Sequence, residues 1–266
     1  MNFKEKYGSW ALITGASSGI GAEFAKQLGK KGLNLVLVAR RKEQLKNLAA
    51  SIQNEFNVIV KTISVDLTSK DFLDQICLTT DEINIGILVN NAGLWRMGEY
   101  LDISLSDELK MIDLNIKAPA ILTHHFASRM KTQKKGGIIN VASMLGYLGV
   151  PYSSAYAATK AYEIVKSEGM WYEFKKQGID VLSLNPGLTK TEMISEYDFS
   201  HMPMKPSKPE LVVKTALRSL GRKSQVIPGF FNSVLGVLSK RVMSRNMNTI
   251  IFGYLFGKTN KKQTSI

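Results

Sequence analysis

Seven short apolar segments follow one another along this sequence, and a stretch with helical spacing separates most of them from the next. A segment such as Leu33-Asn-Leu-Val-Leu-Val-Ala39 is apolar almost throughout, which is typical of a strand buried on both faces. The seven segments are residues 9–14, 33–39, 58–65, 85–90, 137–142, 179–185 and 224–227. Because strands that alternate with helices form parallel sheets, we predict one doubly wound α/β domain in residues 1–230.

A glycine-rich turn comes directly after the first segment. It reads Thr14-Gly-Ala-Ser-Ser-Gly-Ile-Gly21, and a helical pattern continues from it to about Lys31. Glycines allow a sharp turn and let the backbone approach a phosphate at the N-terminus of the following helix. The spacing is G-x-x-x-G-x-G, which differs from the common dinucleotide fingerprint G-x-G-x-x-G. The position between strand and helix still predicts a phosphate-binding loop.

The end of the second segment indicates which nucleotide binds. NAD-binding folds place an acidic residue about 20 residues after the glycines, where it contacts the ribose 2′-hydroxyl. This sequence has Ala39 there, followed by Arg40-Arg41-Lys42 at the start of the next helix. Cations oppose the helix dipole at that end, and a 2′-phosphate would relieve the conflict. The residues therefore favour NADP(H) over NAD(H). Further along, Asp66 either hydrogen-bonds an adenine amine or caps the next turn.

Tyr156 and Lys160 give the clearest indication of chemistry. Four residues apart on a helix, they lie on one face, one turn apart. An ammonium near a phenol lowers the phenol pKa from ~10 toward the range that general acid–base catalysis requires. Ser143 ends the fifth segment, so we expect its hydroxyl at the carboxyl edge of the sheet, where open α/β sheets bind ligands.

A helix predicted from about Leu105 to Met130 contains a polar interruption. Pro119 has no N–H, so the carbonyl of Asn115 loses its helical partner. A freed carbonyl inside a fold needs another donor, commonly water, and a proton relay could start there. A simple kink is the alternative.

Composition excludes several classes of protein. The 266 residues include three histidines and one cysteine, Cys77, which are too few and too scattered for a zinc site, and we predict no metal. The net charge is +13, but no basic stripe with stacking aromatics indicates nucleic-acid binding. No signal peptide and no run of 18 apolar residues is visible, so we expect a cytoplasmic chain.

Two segments depart from the strand–helix alternation. Residues 188–209 combine prolines with apolar side chains and predict a lid over a hydrophobic substrate. The apolar residues concerned are Met193, Tyr197, Phe199, Met202 and Met204. Residues 231–266 form a C-terminal helical extension with a basic tail. This extension closes the substrate pocket, forms an oligomer interface or lies peripherally on an anionic membrane.

Together these motifs resemble the short-chain dehydrogenase/reductase family over about residues 9–230. The matching motifs are Thr14-Gly-Ala-Ser-Ser-Gly-Ile-Gly21, Asn90-Asn-Ala-Gly93, Asn115, Ser143, Tyr156-x-x-x-Lys160 and Pro186-Gly187. The resemblance implies a Rossmann-type sheet of seven parallel strands, a nicotinamide cofactor, and a homodimer or homotetramer.

The resemblance also implies a role for each site residue. Tyr156 exchanges a proton with the substrate oxygen, and Ser143 polarises that oxygen. Lys160 holds the nicotinamide ribose and lowers the pKa of Tyr156, while the carbonyl of Asn115 anchors a relay water. The positions that match cofactor contacts are Gly15, Ser17, Ser18, Gly19, Ile20, Gly21, Arg40, Asp66, Leu67, Asn91, Ala92, Gly93, Tyr156, Lys160, Pro186, Gly187 and Thr191.

Three functions fit these observations. The first is an NADPH-dependent oxidoreductase acting on a carbonyl or secondary alcohol of an apolar substrate, such as a ketone, a hydroxysteroid-like molecule or an acyl chain. The second is a 3-oxoacyl-carrier-protein reductase, whose acidic carrier would suit the basic surface. The third is an NADP-binding regulator without turnover. Such regulators typically lack Tyr or Lys of the catalytic pair, and both are present here.

Overall fold

A seven-stranded sheet forms the centre of the protein in a computed structural model that describes residues 2–202 and 205–259. The strands are β1 Trp10–Thr14, β2 Asn34–Ala39, β3 Val60–Ser64, β4 Ile85–Asn90, β5 Gly136–Val141, β6 Ile179–Leu184 and β7 Gln225–Val226. Their spatial order is β3-β2-β1-β4-β5-β6-β7, and every pair is parallel. The predicted doubly wound parallel sheet is therefore confirmed.

Eleven helices lie in the described part of the chain. They are α1 Phe3–Tyr7, α2 Gly19–Lys30, α3 Lys42–Phe56, α4 Phe72–Thr80, α5 Leu105–Ile112, α6 Ala118–Gln133, α7 Ser154–Lys175, α8 Glu192–Ser195, α9 Pro209–Ser219, α10 Phe230–Arg241 and α11 Arg245–Gly257. Short 3₁₀ turns lie at Tyr100–Asp102 and Met144–Tyr147. Among these residues, none of the helices combines the length and the apolar character needed to cross a bilayer. The division of the chain at residue 230 stays a prediction.

Two hydrophobic cores cover the two faces of the sheet. Successive residues of a strand point to opposite faces, so Ile13 of β1 joins one core and its neighbour Leu12 joins the other. The first core receives Phe24 from α2, and the second receives Phe126 from α6. Because both of their faces are covered, the inner strands are mostly apolar, whereas the edge strand β3 is exposed at three of its five residues.

The predicted helix from Leu105 to Met130 is two helices joined by a π-helical segment at Asp113–Lys117. The backbone N–H of Ala118 reaches back to the carbonyl of Asp113, five residues earlier. Pro119 follows immediately and has no N–H to offer a normal helical turn. The missing donor thus widens one turn of a continuous helix, and such π-turns are frequent at functional sites.

The predicted lid is only partly irregular. It contains the short helix α8 and an isolated parallel bridge between Thr189 and Ser207. Tyr197 and Phe199 are buried. Met204 and its neighbour Pro203 lie outside the described residues.

Candidate active site

The carboxyl edge of the sheet opens into a cavity of about 740 Å³. Most of the residues selected from the sequence line it. These are Gly15, Ser17, Ser18, Gly19, Ile20, Arg40, Asp66, Leu67, Asn91, Ala92, Gly93, Ser143, Tyr156, Lys160, Pro186, Gly187 and Thr191. Of the selected residues, Gly21 and Asn115 do not line this cavity. Because all strands of the sheet are parallel, their carboxyl ends lie at this one edge, and this brings the residues that follow them together.

Close backbone packing shapes the glycine-rich loop. Gly15 has a φ of +63°, and a Cβ there would lie 2.8 Å from Asn91 Nδ2. The same Nδ2 donates to the carbonyl of Thr14 at 2.9 Å, which ties the loop to the end of β4. A Cβ at Gly21 would lie only 2.2 Å from the carbonyl oxygen of Gly15. Gly21 thus allows α2 to pass directly beneath the loop and does not itself line the cavity.

Two arginines of the basic run after β2, Arg40 and Arg41, line the cavity, and Arg40 is the one predicted to do so from the sequence. Arg41, which the sequence analysis did not single out, donates to Ser17 Oγ at 2.9 Å and to Ser18 Oγ at 2.7 Å. It also pairs with Glu192 at 2.6 Å, the first residue of α8. Arg41 therefore joins the glycine-rich loop to the lid.

Asp66 shows one of its two predicted interactions directly. Its Oδ1 accepts hydrogen bonds from the backbone N–H of Thr68 at 2.9 Å and from the Thr68 hydroxyl at 2.8 Å. The carboxylate therefore caps the turn after β3. Because Asp66 also lines the cavity, contact with an adenine stays a prediction.

Tyr156, Ser143 and Lys160 meet between the first turns of α7 and the end of β5. Tyr156 is 7% exposed, and it lines the cavity together with Ser143. Lys160 Nζ donates to the carbonyl of Val141 at 2.8 Å and lies 5.8 Å from the centroid of the Tyr156 ring. α7 thus brings both catalytic candidates to the serine, with the spacing that the helix period predicts.

The pKa of Tyr156 differs from the sequence-based expectation. Burial raises the pKa of Tyr156 to about 12, and the hydrogen bond with Ser143 opposes that rise. Burial also lowers the pKa of Lys160, because the interior disfavours its charged form. Lys160 is not among the causes of the Tyr156 shift, so the expected lowering of the phenol pKa by Lys160 stays a prediction.

Asn115 holds three elements together through its side chain. Its Oδ1 accepts from the backbone N–H of Leu94 at 2.8 Å, and its Nδ2 donates to the Leu94 carbonyl at 2.9 Å. The same Nδ2 donates to Thr159 Oγ1 on α7 at 3.1 Å. Asn115 also lines a second cavity of about 10 Å³, roughly the space of one water, beside Lys160 and Pro119. The position fits the expected start of a relay.

Glu163 is a buried acid that the sequence analysis missed. It is 2% exposed, lines the water-sized cavity and carries an Oε1 without a hydrogen-bond partner among the described residues. Burial raises the pKa of Glu163, while Lys166 and Lys160 oppose that rise. In return its carboxylate opposes the lowering of the Lys160 pKa. The sequence does contain one indication of its proximity to Lys160, because Glu163 follows Lys160 by three residues on the same helix.

An aromatic cluster borders the phenol of Tyr156. Trp95 lies with its ring centroid 5.5 Å from that of Tyr156, and it donates from Nε1 to Ser153 Oγ at 2.9 Å. The other members come from the lid and from α11. They are Tyr197, Phe199 and Phe256, with ring centroids 5.6, 5.8 and 6.5 Å from Trp95. The site beside the catalytic candidates is therefore apolar.

Three potential metal ligands lie together outside this site. Cys77, Asp81 and His125 have ligand atoms within 4.8 Å of one another, closer than their spacing in the sequence suggested. Arg129 lies 3.9 Å from the Asp81 carboxylate, and its charge, together with burial, lowers the pKa of His125. A cation at this position competes with a metal ion, and the absence of a metal stays a prediction.

Comparison with known proteins agrees with this geometry. A family model described as short chain dehydrogenase matches residues 9–199. The 7β-hydroxysteroid dehydrogenase of Clostridium sardiniense is 32% identical over 238 residues, which cover 87% of this chain and 90% of the relative. The very-long-chain 3-oxoacyl-CoA reductase of Homo sapiens is 33% identical over 267 residues, covering 96% of this chain and 84% of the relative.

Two solved structures show the same architecture. One, from a study of 7β-hydroxysteroid dehydrogenase stereoselectivity, superposes with a TM-score of 0.87 at 28% identity, covering 95% of this chain and 99% of the other. The second is a short-chain dehydrogenase from Sphingobium yanoikuyae in complex with NADPH. It superposes with a TM-score of 0.76 at 31% identity and covers 88% of this chain and 96% of the other.

Proposed function

The chain belongs to the short-chain dehydrogenase/reductase family, and from that premise we propose that it is an NADPH-dependent reductase of a large apolar carbonyl substrate. One observation carries the proposal. Tyr156 and Ser143 line a single cavity, and the ring of Tyr156 borders the aromatic cluster. A substrate whose carbonyl oxygen contacts the two hydroxyls would place its apolar body among the aromatic rings.

The residues present fit a dinucleotide phosphate. Gly15, Ser18 and Gly19 of the glycine-rich loop line the large cavity, and α2 directs its N-terminus to the same place. Arg40 and Arg41 lie at the end of β2, where a 2′-phosphate would find cations instead of the acidic residue typical of NAD sites. We therefore assign NADP(H) in preference to NAD(H). When bound, this cofactor supplies the hydride.

The chain's own residues transfer the proton to the substrate oxygen. A phenol with a pKa near 12 stays protonated at neutral pH, which suits proton donation to a carbonyl oxygen as it is reduced. Ser143 donates a second hydrogen bond to that oxygen, and Lys160 lies beside the phenol. The water-sized cavity between Lys160 and Asn115 offers a path for the replacement proton.

The substrate class follows from the cavity lining. Trp95, Tyr197 and Phe256 of the aromatic cluster line the cavity, together with Leu235, Phe252 and Leu255 from the C-terminal helices. Such a lining accepts a steroid-like ketone or a long acyl chain. A 3-oxoacyl thioester on an acidic carrier is the second candidate, which the net charge of +13 favours. A regulator without turnover is disfavoured, because Tyr156 and Lys160 are both present.

A substrate screen tests the proposed function. NADPH oxidation is followed with ketosteroids, 3-oxoacyl thioesters, retinal and small aldehydes at matched concentrations. We expect kcat/KM for the best large substrate to exceed that for small aldehydes by roughly tenfold or more, since each buried CH₂ contributes ~0.8 kcal/mol. Absence of NADPH oxidation with every compound, or a preference for small aldehydes, would contradict the proposal.

We propose that a second copy of the chain covers the outer side of α5 and α7. Leu109 on α5, and Val165 and Tyr172 on α7, are apolar and exposed. Charges of both signs accompany them, such as Glu108 and Lys110, so two copies can pair charges across a two-fold axis.

Light scattering should show a dimer or tetramer, and Val165→Glu should give monomers, because it places a charge within the interface. A monomeric wild-type chain would exclude this interface.

A further inference from the structure

The two C-terminal helices expose a large apolar surface, called here the C-terminal apolar face. Its residues are Phe230, Phe231, Val234, Leu238, Val242, Met247, Ile250 and Tyr254. Phe230 is 87% exposed and Ile250 is 72% exposed. Phe231, Val234 and Leu238 on α10 and Val242 directly after it follow one another at steps of three and four, which makes one continuous stripe. So large a cluster of exposed apolar side chains indicates an interaction site.

The inner side of the same helices is fixed to the enzyme. Asn248 on α11 is 1% exposed and donates from Nδ2 to the carbonyl of Ser239 on α10 at 2.8 Å. Leu235, Phe252 and Leu255 line the large cavity. The apolar face is therefore the outer side of a pair of helices that are already packed inward.

The part of the chain that carries this face has charge of one sign only. Residues 211–266 contain ten lysines and arginines and no aspartate or glutamate. Arg241, Arg245 and Lys258 are exposed next to the apolar residues. Among the described residues, neither Arg241 nor Arg245 takes part in an ion pair. Unpaired cations at the border of an apolar surface call for a partner of negative charge.

This charge pattern distinguishes between the partners that could cover the face. A second copy would bring cations against cations, which is unfavourable, whereas the outer side of α5 and α7 offers both signs for self-association. An anionic lipid surface complements the cations and receives the apolar side chains at the headgroup boundary. α10 has 12 residues and α11 has 13, so each is about 20 Å long and too short to span ~30 Å of hydrocarbon.

We propose that the C-terminal apolar face binds an anionic membrane surface peripherally, with α10 and α11 lying in the plane of the interface. The inner sides of these helices line the cavity, so the face that touches lipid is backed by the site for an apolar substrate. Membrane binding is a property of this face and does not depend on turnover.

Vesicle flotation of the full-length chain tests the proposal. The protein should float with vesicles of phosphatidylserine and phosphatidylcholine at low salt, and less with phosphatidylcholine alone or at high salt. The double variant Arg241→Gln/Arg245→Gln should lower the partition coefficient about 25-fold, which is ~1 kcal/mol for each cation. The double variant Phe230→Glu/Ile250→Glu should abolish flotation, because it puts charges into the apolar contact.

A matched control separates this face from general surface effects. Leu78 on α4 is 88% exposed and lies outside the face, so Leu78→Glu should float like the wild type. Wild-type protein that stays unbound with the anionic vesicles at low salt overturns the proposal. It is equally overturned if Phe230→Glu/Ile250→Glu dissociates an oligomer and leaves flotation unchanged, since the face then binds a second copy. Neither result bears on NADPH oxidation, which the substrate screen tests separately.

Discussion

We expect Tyr156→Phe to lower kcat for carbonyl reduction by about 10²–10⁴-fold, the usual loss when a general acid is removed. The substitution deletes one hydroxyl and keeps the ring, which lies 5.5 Å from Trp95 in the aromatic cluster. The fold and the cofactor region should therefore be preserved. Steady-state kinetics with the best substrate measures the loss, and fluorescence titration should show little change in NADPH affinity.

Two further variants make this result specific. Tyr172→Phe removes the same hydroxyl from an exposed tyrosine of α7 and should leave kcat unchanged. Lys160→Ala should reduce both kcat and NADPH affinity, because the family assigns Lys160 to the nicotinamide ribose as well as to the phenol. If Tyr156→Phe kept about a third of wild-type activity, far above the loss expected for a general acid, Tyr156 would not be the proton donor.

The second large effect concerns the 2′-phosphate. We expect Arg41→Ala to raise the Kd for NADPH roughly tenfold to a hundredfold, because a charge-assisted hydrogen bond contributes ~1.5–3 kcal/mol. NADH has no 2′-phosphate, so its Kd should change little. Arg41 already donates to Ser17 and Ser18, which border the place where the phosphate would lie. Fluorescence titration of both nucleotides gives the two constants.

Variants of the neighbouring Arg40 and of a distant lysine show which cations contact the 2′-phosphate. Arg40→Ala should also weaken NADPH selectively, since Arg40 lines the cavity. Lys46→Ala, on the exposed surface of α3, should change neither Kd. Equal loss of NADPH and NADH affinity in Arg41→Ala would show that Arg41 only braces the loop against Glu192. Equal use of both cofactors by the wild-type chain would exclude the preference for NADPH.

Much of the fold could be predicted from local patterns. A strand buried on both faces must be apolar at most positions, and the five inner strands β1, β2, β4, β5 and β6 were recognisable for that reason. The glycine-rich turn was visible because Gly15 and Gly21 meet backbone constraints that other residues cannot. The spacing of Tyr156 and Lys160 follows from the period of a single helix. Each of these signals is encoded within a few consecutive residues.

Other features depend on residues that lie far apart in the chain. Arg41 and Glu192 are 151 positions apart, so the link between glycine-rich loop and lid has no local pattern. The aromatic cluster likewise joins Trp95 to Phe256. The pKa of Tyr156 is governed by burial, which depends on every element around it. The sequence by itself therefore determined the sheet, the phosphate loop and the helical pair. Only the tertiary structure decided which arginine braces the loop, that the acid three residues after Lys160 is buried, and which rings surround the phenol, because packing brings the surrounding elements together.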